Sequence, residues 1–379
     1  MKKMALCILA VSTMALWAQP TNSSPEPSAE ISPAAVLATM QRVADWQLTN
    51  SAASHERYGE RAWTYGALYA GMMALAEITD SPKYYEAMVA KGKGFNWEPA
   101  PRPYYADDHC VAQMYLECYL KERDPAMLRP IRQEFDQILA HPATNVLEFT
   151  TTHSQDRWSW CDALFMAPPV WVRLYQATGD RRYLDFMDRE WRATSDFLYD
   201  TNEHLFFRDS TFFKRREANG AKIFWSRGNG WVIAGLARII PFLPADFSGR
   251  EFYVQKFREM AKKVASLQQP DGLWRSSLLD PEAYPLKETS GSGFYTFALA
   301  WGINQGLLDR ATYEPVVRRG WQALVECVTP DGKLEHVQPV GSDPKKFLPT
   351  DTDVFGPGAF LLAGRQVYQF VGGQVRSAK

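Results

Sequence analysis

Apolar residues recur at spacings of three and four along most of this chain, which is the period of a helix with one buried face. Ser32-Pro33 reads as a cap and first helical position, and Val36, Leu37, Met40, Val43 and Ala44 follow at helical spacing. Comparable segments lie near 63–79, 108–121, 126–140, 165–177, 181–198, 230–243, 250–267, 294–307, 311–327 and 357–370. The pattern therefore predicts about eleven helices joined by short turns. Strand signals are confined to "HLFFRDSTFF" (204–213) and "DGLWRSSLL" (271–279), which read as short hairpins on one rim.

Several helices stop at an aspartate and restart behind it: "EITDSPKYY", "KERDPAML", "QATGDRRYL" and "GLLDRATYE", with "FLPADFSGREF" as a looser copy. The aspartates are Asp80, Asp124, Asp180, Asp246 and Asp309, at spacings of 44, 56, 66 and 63 residues. Aspartate before a helix accepts from the first free backbone N–H groups, so each turn is a stop-and-cap signal. Helical hairpins cannot bury their apolar faces alone, and a closed ring of them solves that problem. In such a ring alternate loops gather on one rim, where distant parts of the chain converge.

The N-terminus changes the picture before the first helix. MKKMALCILAVSTMALWAQP has two lysines, an apolar stretch from Met4 to Trp17 and a small residue at Ala18. Residues 1–18 read as a secretory signal peptide, too short to span a membrane, which implies a secreted or periplasmic protein. Residues 19–32 read as a disordered lead-in, and residues 33–379 as one domain. The net charge of −1 contains no basic block, so nucleic-acid binding has no support. Beyond the signal there are four cysteines, Cys110, Cys118, Cys161 and Cys327. They lie in apolar helical surroundings without CxxC spacing and read as buried thiols rather than disulfides.

Four stretches can carry chemistry. "YYADDHCVAQMYLECY" (104–119) places Asp107, Asp108 and His109 at a helix start. One aspartate can cap that helix; the second needs another reason. "RWSWCDALFMAPPVW" (157–171) sets Asp162 among Trp158, Trp160 and Phe165 ahead of two prolines. Asp162 reads either as a cap or as a carboxyl kept protonated by desolvation, which is what a general acid needs. "FWSRGNGWV" (224–232) projects Trp225, Arg227 and Trp231 from a compact turn; an arginine fork suits a carboxylate and indole faces suit sugar rings. "KETSGSGFYTFAL" (287–299) offers Thr289 and Ser290 for an anion, with capping by Thr289 or Ser292 the equal alternative. The six histidines show no metal spacing, and neither a GxSxG elbow nor a phosphate loop is present, so no metal or cofactor is expected.

Taken together, "WCDALFMAPPVW", "WSRGNGWV", "QQPDGLWRSSLLD" and "ETSGSGF" resemble glycoside hydrolase family 105, the unsaturated rhamnogalacturonyl hydrolases, and more distantly the unsaturated glucuronyl hydrolases. The resemblance spans about residues 35–370 and implies an all-α (α/α)6 barrel. It implies an exo-acting enzyme that removes a 4,5-unsaturated uronic acid, most readily a galacturonyl unit from rhamnogalacturonan of pectin. The bond is lost after hydration of the enol-ether double bond. By position, the resemblance places the catalytic acid at Asp162, a second acid at Asp108 with Asp107 as fallback, and an active-site arginine at Arg227. Trp160, Trp225 and Trp231 would line the pocket. Where some relatives carry a histidine near a "YHAW"-like stretch, this chain has "FFRDS", so Arg208 brings a fixed cation that suits the uronate. The competing readings are an unsaturated glucuronyl hydrolase, a sugar epimerase or isomerase, and a non-catalytic glycan-binding protein. The implied partner is an oligosaccharide, with no nucleic acid, membrane span or obligate protein partner.

Overall fold

The computed structural model describes residues 31–50, 59–150 and 152–375. The signal-peptide reading of residues 1–18, and the lead-in up to residue 30, lie outside them. Twelve helices of eleven or more residues are present among the described residues, and they alternate between two concentric rings. The outer ring holds α1 (Pro33–Thr49), α3 (Lys83–Gly94), α6 (Pro125–Ala140), α9 (Arg181–Leu198), α11 (Arg250–Ser266) and α13 (Arg310–Val325). The inner ring holds α2 (Trp63–Ala76), α5 (Ala112–Glu122), α8 (Pro168–Thr178), α10 (Ser226–Ile239), α12 (Thr289–Asn304) and α14 (Phe355–Phe370). Two single-turn helices, α4 (Ala106–His109) and α7 (Ala163–Met166), precede α5 and α8. Consecutive inner helices pack on one another, and α14 returns to α2, so the ring is closed. This is the (α/α)6 barrel. The helix that periodicity missed is α3, where only Tyr84, Met88 and Gly92 are buried.

Patterning explains which helix goes where. α2 buries every residue from Thr64 to Leu75, and α10 and α12 are apolar or small nearly all round. A helix without a polar face has to be surrounded. By contrast α6 buries only Met127, Ile131, Phe135 and Ile138, a single stripe that fits an outer position. Glycines let the inner backbones touch. A Cβ on Gly358 would lie 2.4 Å from the Ala67 carbonyl oxygen, and one on Gly71 would lie 2.5 Å from that of Gly358. The first and last inner helices close the ring through this contact.

The aspartate turns fall on one rim. Asp124, Asp180 and Asp309 cap α6, α9 and α13 through bonds of 2.8–3.0 Å to backbone N–H groups. Asp246 does not cap, since α11 starts behind Gly249 without a side-chain cap. The opposite rim carries the longer connections, including the antiparallel pair β1 (Tyr199–Asp200) and β2 (Leu205–Phe206). Stretch 271–279 forms bridges there, Trp225 with Ser277 and Trp274 with Glu288, rather than a hairpin of its own. The four cysteines are buried and unpaired with one another.

Replacing Gly358 by Ala should destabilise the fold by about 1–3 kcal/mol, because two helix backbones must separate. Gly94→Ala, where a Cβ meets nothing within 4 Å, should stay within about 0.5 kcal/mol of the parent. Chemical denaturation of the two variants checks the contrast.

Candidate active site

Every inner helix begins on the rim of long loops, and the candidate residues stand at those beginnings. Asp107 and Asp108 lie in α4, Asp162 directly precedes α7, and Ser226 and Arg227 open α10. Thr289 opens α12, Trp63 opens α2 and Phe355 opens α14. Arg208 sits two residues beyond β2. Six helix N-termini aimed at one funnel favour negative charge in it.

Asp162 does not cap its helix: its backbone is already helical and its side chain makes no cap bond. It is 8% exposed. Its Oδ2 accepts from the Cys161 thiol at 3.4 Å and lies 3.7 Å from Arg208 Nε. Burial raises its pKa, and Arg208, the thiol and, more weakly, Arg227 oppose the rise. Arg227 and Asp162 are within each other's electrostatic reach.

The structure separates the adjacent acids. Asp108 is held by Arg102 through Nη2–Oδ1 at 2.6 Å, Nε–Oδ2 at 3.0 Å and the Arg102 backbone N–H at 2.9 Å. A carboxylate bound on both oxygens by a guanidinium is a structural ion pair. Asp107 has no such partner, and its buried Oδ1 has no hydrogen bond. Its pKa is pushed up to about 7, first by burial and next by the Asp162 carboxylate, against the pull of Arg208. Both buried carboxyls therefore hold a proton more tightly than an ordinary aspartate, and Arg208 opposes the rise at each of them. His109 points elsewhere. Its Nε2 lies 2.8 Å from the Pro103 carbonyl, and burial lowers its pKa to about 4, so it stays neutral.

The aromatic walls differ from the expectation. Trp158 lines a cavity of about 10 Å³, room for one water, together with His109, and packs edge-on against Phe186 at 6.2 Å. It is not part of the Asp162 niche. Trp160 stacks on Tyr105 at 5.2 Å, and Tyr105 hydrogen-bonds Asp107. Trp231 is fully buried against Phe294 at 4.2 Å and Phe165 at 4.8 Å, forming the floor. Above it stand Trp63 and Phe355, stacked at 5.3 Å.

Arg227 is not an open fork. Its Nη1 donates to the Gln338 carbonyl and its Nη2 to the Pro339 carbonyl at 2.9 Å, between the rings of Trp225 and Phe355, each at 4.6 Å. Trp225 donates its indole N–H to Gln338 at 3.0 Å. Arg227 therefore fixes the 338–339 loop rather than waiting for a carboxylate. Arg208 is the cation better placed for one: it pairs with Asp209 at 2.7 Å through Nη1, and its Nε has no hydrogen-bond acceptor. The anion site expected at Thr289 and Ser290 is already filled. Glu288 accepts from the N–H groups of Ser290 at 3.0 Å and Gly291 at 2.7 Å and from the Ser290 hydroxyl at 2.5 Å. Thr289 bonds the Glu335 carbonyl at 2.9 Å. The protein's own carboxylate has taken the place of a ligand.

The profile of Glycosyl Hydrolase Family 88 matches residues 39–371. The chain belongs to that family. It is a glycoside hydrolase. An unsaturated 3S-rhamnoglycuronyl hydrolase of Formosa agariphila is 38% identical over 97% of each chain. One of the same name from an Alteromonas species is 36% identical over 86% of this chain and 84% of the relative. Among solved structures, a family 88 glycosyl hydrolase from Bacteroides vulgatus has a TM-score of 0.80 at 30% identity, covering 89% of this chain and 99% of that one. An unsaturated glucuronyl hydrolase from Bacillus sp. GL1, at 16% identity and TM-score 0.62 over 87% and 95% of the chains, shares the fold.

In this family 88 hydrolase, Trp63, Tyr105, Gln338 and Phe355 belong to the site and escaped sequence reasoning. Only their position at the start of inner helices or in rim loops marks them, and that requires knowing which helices are inner. The raised pKa of Asp107 has a stability consequence. The folded state binds that proton more tightly than the unfolded chain, so stability falls as pH rises through about 7. Asp107→Asn should stabilise the fold by about 1–3 kcal/mol at pH 8, and the gain should vanish near pH 4. Denaturation at the two pH values measures it.

Proposed function

We propose that this hydrolase releases a 4,5-unsaturated uronic acid from the non-reducing end of a lyase-generated oligosaccharide, by hydrating the enol-ether double bond. The observation that carries this reading is the pair Asp107 and Asp162: both buried, both with a raised pKa, beside a partly available Arg208. Arg208 receives the uronate carboxylate. That anion draws on the charge that opposes protonation of Asp162, so Asp162 holds its proton when substrate is bound. Asp162 then delivers it to ring carbon four. Positive charge develops at carbon five, stabilised by the ring oxygen. Water adds at carbon five and returns a proton to the carboxylate, so the pair ends as it began. The hemiketal opens, and the glycosidic bond is lost in the rearrangement. A reaction limited by proton delivery to carbon is the kind that a carboxyl with raised pKa accelerates.

Galacturonyl and glucuronyl units differ in configuration at carbon four. Once that carbon is part of a double bond the difference is gone, so the site has no means to tell the two sources apart. What distinguishes substrates is the adjoining sugar and its linkage. Both of the relatives described above carry rhamnoglycuronyl in their names. They favour a rhamnose-linked uronide over the galacturonyl unit of pectin. We also propose export, supported by the basic–apolar–small pattern of residues 1–18. N-terminal sequencing of the protein made by its own host should start at Gln19; an intact Met1 would contradict it.

The unsaturated uronate absorbs in the ultraviolet, and hydration abolishes that absorbance. On a panel of lyase-generated disaccharides, wild type should remove the signal. Asp162→Asn should lose at least about 1000-fold in turnover while keeping its cooperative melt. Asp108→Asn should lose melting temperature more than turnover. An epimerase or a binding protein would leave the absorbance untouched.

A further inference from the structure

The turn that carries Asp162 runs into Pro168 and Pro169. In an unbroken helix the carbonyls of Leu164 and Phe165 would accept from the N–H groups of residues 168 and 169, and proline has none. Both residues are fully buried, so each carbonyl needs another neighbour. Gln113 of α5 donates its amide to the Phe165 carbonyl at 2.8 Å and to that of Met166 at 3.3 Å. Gly235 of α10 meets the other: a Cβ there would lie 2.2 Å from the Leu164 oxygen. The Gln113 amide is also locked the right way round. Its Oε1 accepts from Arg238 Nε at 2.8 Å, and Arg238 Nη2 is bound by Glu117 at 2.7 Å. Glu117 binds Arg173 at 2.7 Å as well, joining α5, α8 and α10 behind the turn.

We infer that Gln113 is a positioning residue for Asp162: its side-chain amide supplies the donor that the two prolines withhold and fixes the one-turn helix behind that carboxyl. The inference rests on the functional reading above. Asp162 faces Asp107 from α4, Arg208 from the loop after β2, Arg227 from α10 and its neighbour Cys161. Gln113 makes no hydrogen bond to any of these four, so its removal reaches Asp162 through the α7 backbone.

Gln113→Glu keeps the acceptor for Arg238 and turns a carboxylate toward the Phe165 carbonyl. It should lower kcat for an unsaturated uronyl disaccharide about 10–100-fold and leave KM within about twofold. The alkaline limb of its kcat profile should move to lower pH, because water gains access to the carboxyl. Arg173→Met cuts the same cluster but leaves both Gln113 bonds; it should lower the melting temperature and leave kcat and KM unchanged. A readout without turnover is the carboxyl titration seen by infrared difference spectroscopy, assigned by its loss in Asp162→Asn. It should fall toward the ordinary carboxylate range in Gln113→Glu. Unchanged kcat and titration in Gln113→Glu, or an equal kcat loss in Arg173→Met, would overturn the inference. Gln113→Met, which removes donor and acceptor together, is read the same way should the glutamate variant not fold. If wild type consumes no unsaturated uronide, the functional reading falls, and the titration still decides the role of Gln113.

Discussion

Two carboxyls and one guanidinium share a space with too little water to solvate three charges. That constraint organises the site. Asp107 and Asp162 cannot both ionise cheaply beside a single partly committed Arg208, and burial raises the pKa of each. The same arrangement is unfavourable for folding, since an ordinary apolar or amide side chain would sit there with less strain. Its persistence makes sense where a proton has to be delivered to carbon at neutral pH. Asp108, one residue away, shows the alternative fate: Arg102 holds both of its oxygens in an ion pair.

The barrel makes this possible by sorting its two rims. Inner-to-outer connections are short and capped by aspartates such as Asp124 and Asp180, so that rim is closed with local chemistry. Outer-to-inner connections are long and deliver side chains to the helix starts. The α7–α8 break is the point where the two demands meet. The paired prolines end α7 after one turn, and Asp162 at its start caps nothing and faces the funnel. The Phe165 carbonyl then accepts from Gln113 of α5, and that of Leu164 packs against the backbone of Gly235.

Much of this was legible in the sequence, for identifiable reasons. Helical periodicity and the aspartate turns announce a ring of hairpins, and the four motif stretches all fall on one rim. Asp162 stood out because a lone acid in an apolar run requires an explanation. What stayed hidden depends on three-dimensional partners. Asp107 and Asp108 are indistinguishable in "ADDH"; only the Arg102 fork separates them. Thr289 and Ser290 look like an anion site until Glu288 is seen to fold over the helix start. Arg227 looks like a free clamp until its fork is found on the carbonyls of Gln338 and Pro339, more than a hundred residues on. Trp158 was assigned to the niche by adjacency, yet it packs on the far side with His109. α3 was missed because its apolar stripe is short and its C-terminal half carries lysines and glycines.

The most direct measurement is the fate of solvent hydrogen. Turnover of an unsaturated uronyl–rhamnose disaccharide in deuterium oxide, followed by proton NMR at early times, shows where the delivered proton lands. Proton delivery from the carboxyl pair to the alkene predicts one deuterium at carbon four of the released uronic acid, and none there with Asp162→Asn over the same interval. Release of a uronic acid that keeps its double bond and carries no deuterium at carbon four would contradict the account.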